Sequence, residues 1–374
     1  MKKALLFIIC FFGVCVSHPG ISAEPIKIAA IFAKTGDAKI STVQCFRGVS
    51  LGVEEINAQG GLMGRQIQLV ELDNKSNAIG AKIAALNAVR QNVIAVIGAS
   101  WSSHSLAMAP VLQKAGIPMI SPESTNPEVT REGDYIFRVC FIDPFQGKVM
   151  AQFAFQDLEA RTAAILKNVN SDYSTGLSRY FKDSFLGSGG KIMTEEKYLA
   201  EATDFTGFLQ KIKELKPDVV FAPGYERDSS LLLKQAGKIG VQSVFLGGDG
   251  WSETVRKLAG QAAEGHYFSS HWHSDVPFPA SKALMKNYHR KHSGELIVAS
   301  APLTYDAIMV LAHAIRSAQS SEPRKIRDAL ASTKDFQGTT GTIRFDENGD
   351  PLDKDAVILK FDKGKTVFVK TIKP

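Results

Sequence analysis

The sequence predicts an α/β fold of two doubly wound, parallel-sheet units, and three observations predict it. Apolar strand patterns alternate with helix patterns through short connections, the alternation runs through two successive series, and no Gly/Ser linker or low-complexity tract separates them. The 374 residues exceed what one core organises and suit two domains of ordinary size.

The first segment belongs to neither unit. Lys2 and Lys3 precede ALLFIICFFGVCV (4–16), and Ile21-Ser22-Ala23 fits a small-residue cleavage site, so 1–23 is expected to be a secretory signal peptide. A lipid-modified Cys needs a small residue before it, but Ile9 precedes Cys10 and Val14 precedes Cys15, so no lipid anchor is expected. No later stretch reaches about 18 uncharged apolar residues, which leaves a soluble exported chain as the expectation. Its formal charge of +6 falls by two with the signal, and the remaining Lys and Arg are interleaved with Asp and Glu. That pattern reads as a solvated surface without a nucleic-acid track. Cys45 and Cys140 are the cysteines that remain; an oxidising compartment permits a disulfide, while the patterns around them favour two buried thiols.

The first series opens with the strand pattern IKIAAIFA (26–33), a helix over 43–59 stopped by Gly60-Gly61, and the strand RQIQLVEL (65–72). A helix over 77–90, a strand over 93–99, a helix over 103–116 and the strand PMISP (118–122) follow. DYIFRVCF (134–141) leads into the second series, with strands at 162–169, 191–199, 218–225, 243–251 and 263–272 and helices near 144–158, 175–187, 204–215, 228–239 and 252–259. The tail departs from this rhythm: 279–334 is almost wholly helical in pattern, and strands TGTIRFD (340–346) and AVILKFD (356–362) flank the turn ENGDP.

The strand at 93–99 ends in ASWSSHS (99–105), an unusual number of hydroxyls for a core element, and PMISP ends in Glu123, Ser124, Thr125 and Asn126. In an open parallel sheet, ligands bind beyond the carboxyl ends of strands, where helix amino ends present free N–H groups. Two adjacent strand ends of this kind make a pocket of donors suited to a carboxylate. Helix capping and loop shaping are the alternative duties of the same residues.

With these segments in view the chain resembles the type I periplasmic solute-binding proteins of ABC transporters, branched-chain amino acid (Leu/Ile/Val) class. The resemblance runs through GVSLGVEEINAQGGLMGRQIQLVELDN (48–74), VIGASWSSHSLAMAPVLQKAGIPMISPESTNPEVT (96–130), FRVCFIDPFQG (137–147), NSDYSTG (170–176), DFTGFLQKIKELKPDVVFAPGY (204–225) and GDGW (248–251). It implies the periplasmic binding protein type I fold, two lobes on a three-crossover hinge: 24–142 plus 271–352 as the first lobe, 143–270 plus 353–374 as the second. A chain that crosses three times needs no linker.

The resemblance also implies roles. Ser102 and Thr125, with backbone groups at Glu123 and Ser124, would hold an α-carboxylate, and Asp249 on the second lobe would hold the ammonium. Asp143 and Tyr173 stand where the related amino-terminal domains of metabotropic glutamate receptors place an Asp and a Tyr around the ammonium. Trp101, Tyr225 and Trp251 would wall the side-chain pocket. Ser41 replaces a Tyr frequent in Leu/Ile/Val binders and Glu123 a usually small residue, so the side-chain preference is expected to differ, with a neutral or apolar amino acid favoured. No cofactor or metal is expected. The implied partners are the permease and ATPase subunits of an importer, with the binding protein itself a monomer.

Chemistry agrees: a zwitterion needs hydroxyl and N–H donors facing a carboxylate, and charged hydrogen bonds of this kind are the strong ones. Among competing readings, an exported serine hydrolase lacks the last Gly of G-x-S-x-G around Ser100. His271 and His273 share a strand face but lack further metal ligands. A ligand without an ammonium, such as an aromatic carboxylate, an amide or urea, and a periplasmic sensor role are the alternatives within the same fold. No enzymatic activity is expected.

Overall fold

The computed structural model describes residues 24–276 and 278–374, so the expected signal peptide at 1–23 lies outside the described residues. The first sheet is built from β1 (Ile26–Phe32), α1 (Lys39–Ala58), β2 (Ile67–Asp73), α2 (Ala78–Arg90), β3 (Ala95–Gly98), α3 (Ser102–Ala115), β4 (Met119–Ser121), the short α4 (Glu128–Arg131) and β5 (Ile136–Arg138). Its five strands are all parallel, in the order β2-β1-β3-β4-β5.

Both faces of this sheet are covered, which is why its strands read as unbroken apolar runs rather than alternating ones. Along β1, Ile28, Ala30 and Phe32 pack with α1 on one side, while Ala29 and Ile31 meet α2 and α3 on the other. At the end of β3, Gly98 adopts φ +140°, and a Cβ there would lie 2.4 Å from the Ile31 carbonyl oxygen, so only glycine lets the chain leave the sheet at this point.

The second sheet gathers α5 (Asp143–Gln152), β6 (Thr162–Asn168), α6 (Asp172–Gly187), β7 (Lys191–Tyr198), α7 (Thr206–Leu215), β8 (Val219–Phe221), α8 (Glu226–Ile239), β9 (Val244–Gly247), α9 (Glu253–Ala259) and β10 (Tyr267–Ser270). The chain then returns to the first sheet with α10 (Pro279–Lys291), α11 (Ser300–Ala318) and α12 (Pro323–Ala331). A small hairpin, β11 (Phe336–Gly338) and β12 (Gly341–Ile343), follows. Leu303, Leu311, Ile326 and Leu330 bury against α1 and β1. A third crossing delivers β13 (Ala356–Asp362) and β14 (Lys365–Ile372) to the second sheet, whose order is β14-β13-β10-β9-β8-β6-β7. α5 and α6 cover one of its faces, and α7, α8 and α9 the other.

Three features depart from the sequence reading. β13 runs antiparallel to β10 and pairs antiparallel with β14, so the second sheet is mixed at one edge. β14 itself was not expected: its Val367, Phe368 and Val369 do not alternate with polar residues, and a register shift between Ile358 and Leu359 breaks the pairing. Lys363 and Gly364, at φ 49° and 73°, form a two-residue turn that matches strand twist and closes this hairpin. α4 and β11 are short additions of four and three residues. Cys45 and Cys140 are both free and buried, as the strand and helix patterns indicated.

Candidate functional site

The serines after β3 divide four tasks among them. α3 starts at Ser102 behind Trp101, and no side chain caps it. Ser100 Oγ donates to Glu123 Oε2 at 2.6 Å. Ser102 Oγ accepts the Asn126 N–H at 3.2 Å, which ties the two strand ends together and leaves its own proton free to donate. Ser103 Oγ accepts the N–H of Asp172, on the second lobe, at 3.1 Å. Ser105 Oγ donates to the Ala99 carbonyl and lies 2.7 Å from Ser124 Oγ, deep in the core.

Ser102 opens onto a cavity of about 600 Å³ between the lobes. Ser41, Ser100, Trp101 and Glu123 continue its wall on the first lobe, and Tyr173, Tyr225, Glu226, Asp249 and Trp251 form the opposite wall. The structure therefore brings Trp101, Ser102, Glu123, Tyr173, Tyr225, Asp249 and Trp251 to one cavity, as the sequence reading placed them. Ser124, Thr125 and Asp143 lie behind the wall and do not line it.

Each of these three has a physical reason for its place. Ser124 is fully buried, with its hydroxyl on the Ala99 and Ser100 carbonyls. Buried Arg138 donates to the Ser124 and Asn126 carbonyls at 2.5 and 2.9 Å and sits 2.6 Å from Asp350, which fixes the 124–126 loop. Thr125 Oγ1 is buried with no hydrogen-bond partner among the described residues. Asp143 donates its backbone N–H to the Thr125 carbonyl at 2.9 Å, but neither carboxyl oxygen finds a hydrogen-bond partner among the described residues. Burial pushes that carboxyl well above the usual range, with the nearby Asp249 adding to the shift, so Asp143 is poorly suited to meet a cation as an open acceptor.

Asp249 has partners on both oxygens: Gln146 Nε2 donates to Oδ1 at 2.8 Å, and His271 Nε2 lies 2.9 Å from Oδ2. Each carboxylate oxygen carries two lone pairs, so acceptor capacity remains. His273 turns away towards Asp275, 3.6 Å distant, and among the described residues no group of three His, Cys, Asp or Glu is placed to hold a metal. Trp101 stacks on Tyr225 with ring centres 3.8 Å apart and planes 6° from parallel, and Tyr225 stacks in turn on Tyr173 at 5.3 Å. Aromatic rings thus meet across the gap. Tyr173 Oη accepts the Gly250 N–H at 3.0 Å, holding the GDGW loop against α6. Trp251 is almost wholly buried and also packs on Phe361, so wall and core are one for this residue.

Two residues of the site escaped the sequence reading. Glu226 opens α8, where an acid is ordinary because it complements the helix dipole. Its signal was the stripe Glu226, Ser230, Leu233, spaced i, i+4, i+7 and buried throughout. Glu226 Oε2 accepts from Ser41, on the first lobe, at 2.5 Å, and burial pushes its carboxyl up to about 7. His271 was weighed with His273 as a metal pair and not as a partner of Asp249, which is 22 residues away.

The periplasmic binding protein family model matches residues 25–366. The Leucine-, isoleucine-, valine-, threonine-, and alanine-binding protein of Pseudomonas aeruginosa is 29% identical over 348 residues, covering 92% of each chain. The crystal structure of a leucine binding protein, LivK, from Thermotoga maritima superposes with a TM-score of 0.88 at 35% identity, over 93% of this chain and 99% of that one. LivJ of Streptococcus pneumoniae, solved in complex with isoleucine, gives 0.88 at 33% identity, over 94% and 100%. A match across nearly the whole described chain, on a fold with the same two lobes, settles membership: this chain belongs to the periplasmic binding protein family.

Proposed function

We propose that the protein is the extracytoplasmic receptor of an ABC importer and captures an α-amino acid by closing its lobes, 24–142 plus 271–352 and 143–270 plus 353–374, over it. The observation that carries this reading is that Ser102 and Asp249 face one cavity from opposite lobes. Ser102 and the N–H groups at the start of α3 supply donors for a carboxylate, with the buried 124–126 loop behind them. Asp249, beside Tyr173, supplies the acceptor for an ammonium. Neither lobe alone satisfies a zwitterion, so binding stabilises the closed arrangement over the open one. The names and bound ligands of the relatives, leucine and isoleucine among them, support an amino acid. The expected signal peptide supports a periplasmic location, and the family supports permease and ATPase subunits as partners of a monomeric receptor without enzymatic activity.

Calorimetric titration tests the reading. Asp249→Ala should abolish amino acid binding while the variant still unfolds cooperatively, and unchanged affinity would remove the ammonium role. Ser102→Ala should weaken binding by about 1.5–3 kcal/mol, the worth of a hydrogen bond to a charged group.

A second reading, a carboxylate ligand without an ammonium, draws on the His271 and Gln146 contacts that already occupy Asp249. A thermal-shift screen against amino acids, aromatic acids, amides and urea separates the two, because a ligand that binds only the native state raises its melting temperature.

A further inference from the structure

The cavity holds two carboxyl groups that amino acid capture as described does not use. Glu123 comes from the first lobe, on the wall with Trp101 and Ser102, and Glu226 from the second, on the wall opposite. They are held from a single helix. Ser41 donates to Glu226 Oε2 at 2.5 Å, and Cys45, four residues later on α1, places its Sγ 3.5 Å from Glu123 Oε2. Residues at i and i+4 on a helix are neighbours, about 6 Å apart at Cβ, so the two carboxyls are brought to one end of the cavity.

Every other contact to this pair is neutral. Ser100 donates to Glu123 at 2.6 Å, and Ser252 to Glu226 at 3.3 Å. Among the described residues neither acid has an Arg or Lys within ion-pair distance, whereas Glu253 at the cavity rim is paired with Arg256 and Glu295 with Arg47. His273, His289 and Lys365 also line the cavity, but among the described residues none lies within ion-pair distance of either acid, and His271 is committed to Asp249. Burial raises both Glu123 and Glu226 above the ordinary carboxyl range, the expected response of acids withdrawn from water without a cation. A zwitterion with a neutral side chain brings no net charge to offset them; a ligand with one further positive charge does.

We propose that Glu123 and Glu226 form a distal acid pair that selects an α-amino acid whose side chain ends in a positively charged nitrogen. The proposal rests on the amino acid reading above and deepens it. Ser102 and Asp249 hold the α-carboxylate and α-ammonium, and the far end of the side chain docks between carboxyls from opposite lobes. Closure is thereby linked to both ends of the ligand. Ser41 and Ser100 orient the acids; larger residues at those positions would fill the space the side chain needs.

The test is a calorimetric series on the purified protein with L-lysine, L-arginine, L-leucine, L-glutamine and 6-aminohexanoate, repeated on Glu226→Gln and Glu123→Gln. Lysine or arginine should bind the unsubstituted protein about tenfold or more tighter than leucine or glutamine, the scale of a charge-assisted contact. Each Gln variant should lose about tenfold for the cationic ligand relative to leucine, so that the preference for the cation collapses. Leucine or glutamine binding as tightly as both cations overturns the acid pair, and this ranking decides even if a variant does not fold. If 6-aminohexanoate, which lacks the α-ammonium, binds as tightly as lysine, the Asp249 role fails while the acid pair stands. If no amino acid binds and an aromatic carboxylate does, both proposals fall.

Discussion

Among the described residues the Glu226 carboxyl accepts side-chain hydrogen bonds from Ser41 and Ser252, with Glu123 as a charged neighbour, and burial lifts it from 4.5 to about 7. The native protein therefore keeps a proton that the unfolded chain has already released between those values. Its contribution is fully present below about pH 4.5 and is lost as pH rises through 7, a total of about 3 kcal/mol. Glu226→Gln cannot ionise and escapes the loss. Urea unfolding at about pH 5 and pH 8 should show the variant gaining on the parent by up to about 3 kcal/mol at the higher pH. An equal difference at both values would mean that the group does not titrate in this range. At this scale the serines were legible as a cluster, because their position after an apolar strand is a chain-local pattern. Glu226, His271 and the burial of Asp143 behind the wall were not, since each depends on what a distant segment brings near it.

Among the elements, the junction of β3 and α3 sets where every first-lobe donor points. Gly98 pairs with Ile31 in the parallel ladder while holding φ +140°, and an added Cβ would stand 2.4 Å from the Ile31 carbonyl oxygen. Gly98→Ala combines left-side backbone strain with a backbone clash, and each alone costs of order 1–3 kcal/mol. Chemical denaturation should register a loss of roughly 3 kcal/mol or more, and a loss below about 1 kcal/mol would show that the sheet yields there easily. The buried, two-sided strands of both sheets were readable because apolar runs of that length have few other uses. β14 was not, because half-exposed edge strands carry weak periodicity and its pairing is fixed by the turn at Lys363 and Gly364 rather than by its own pattern. The antiparallel pairing of β14 with β13 follows from the same turn, because a two-residue connection can only return the chain antiparallel, while β13 itself arrives antiparallel to β10 by the third crossing.

The lobes touch one another directly as well as through the cavity. Ser103 accepts the Asp172 N–H at 3.1 Å, Asn126 donates to the Asp172 carbonyl at 2.9 Å, and Trp101 stacks on Tyr225. Contacts of this kind exist only when the lobes are closed, so they add to the closed population without favouring any ligand. Apparent affinity scales with that population, because a ligand that needs the closed state is weakened by the fraction of time the protein spends open. Ser103 does not line the cavity, which makes it a clean probe of closure. Ser103→Ala removes one hydrogen bond worth about 0.5–1.5 kcal/mol, so affinity should fall by about two- to tenfold. The change should lie in the dissociation rate, since the encounter is made with the open form and the lost contact forms afterwards. Stopped-flow measurement of both rates decides the matter: a slower association with unchanged dissociation would mean that Ser103 shapes the open cleft instead of latching the closed one.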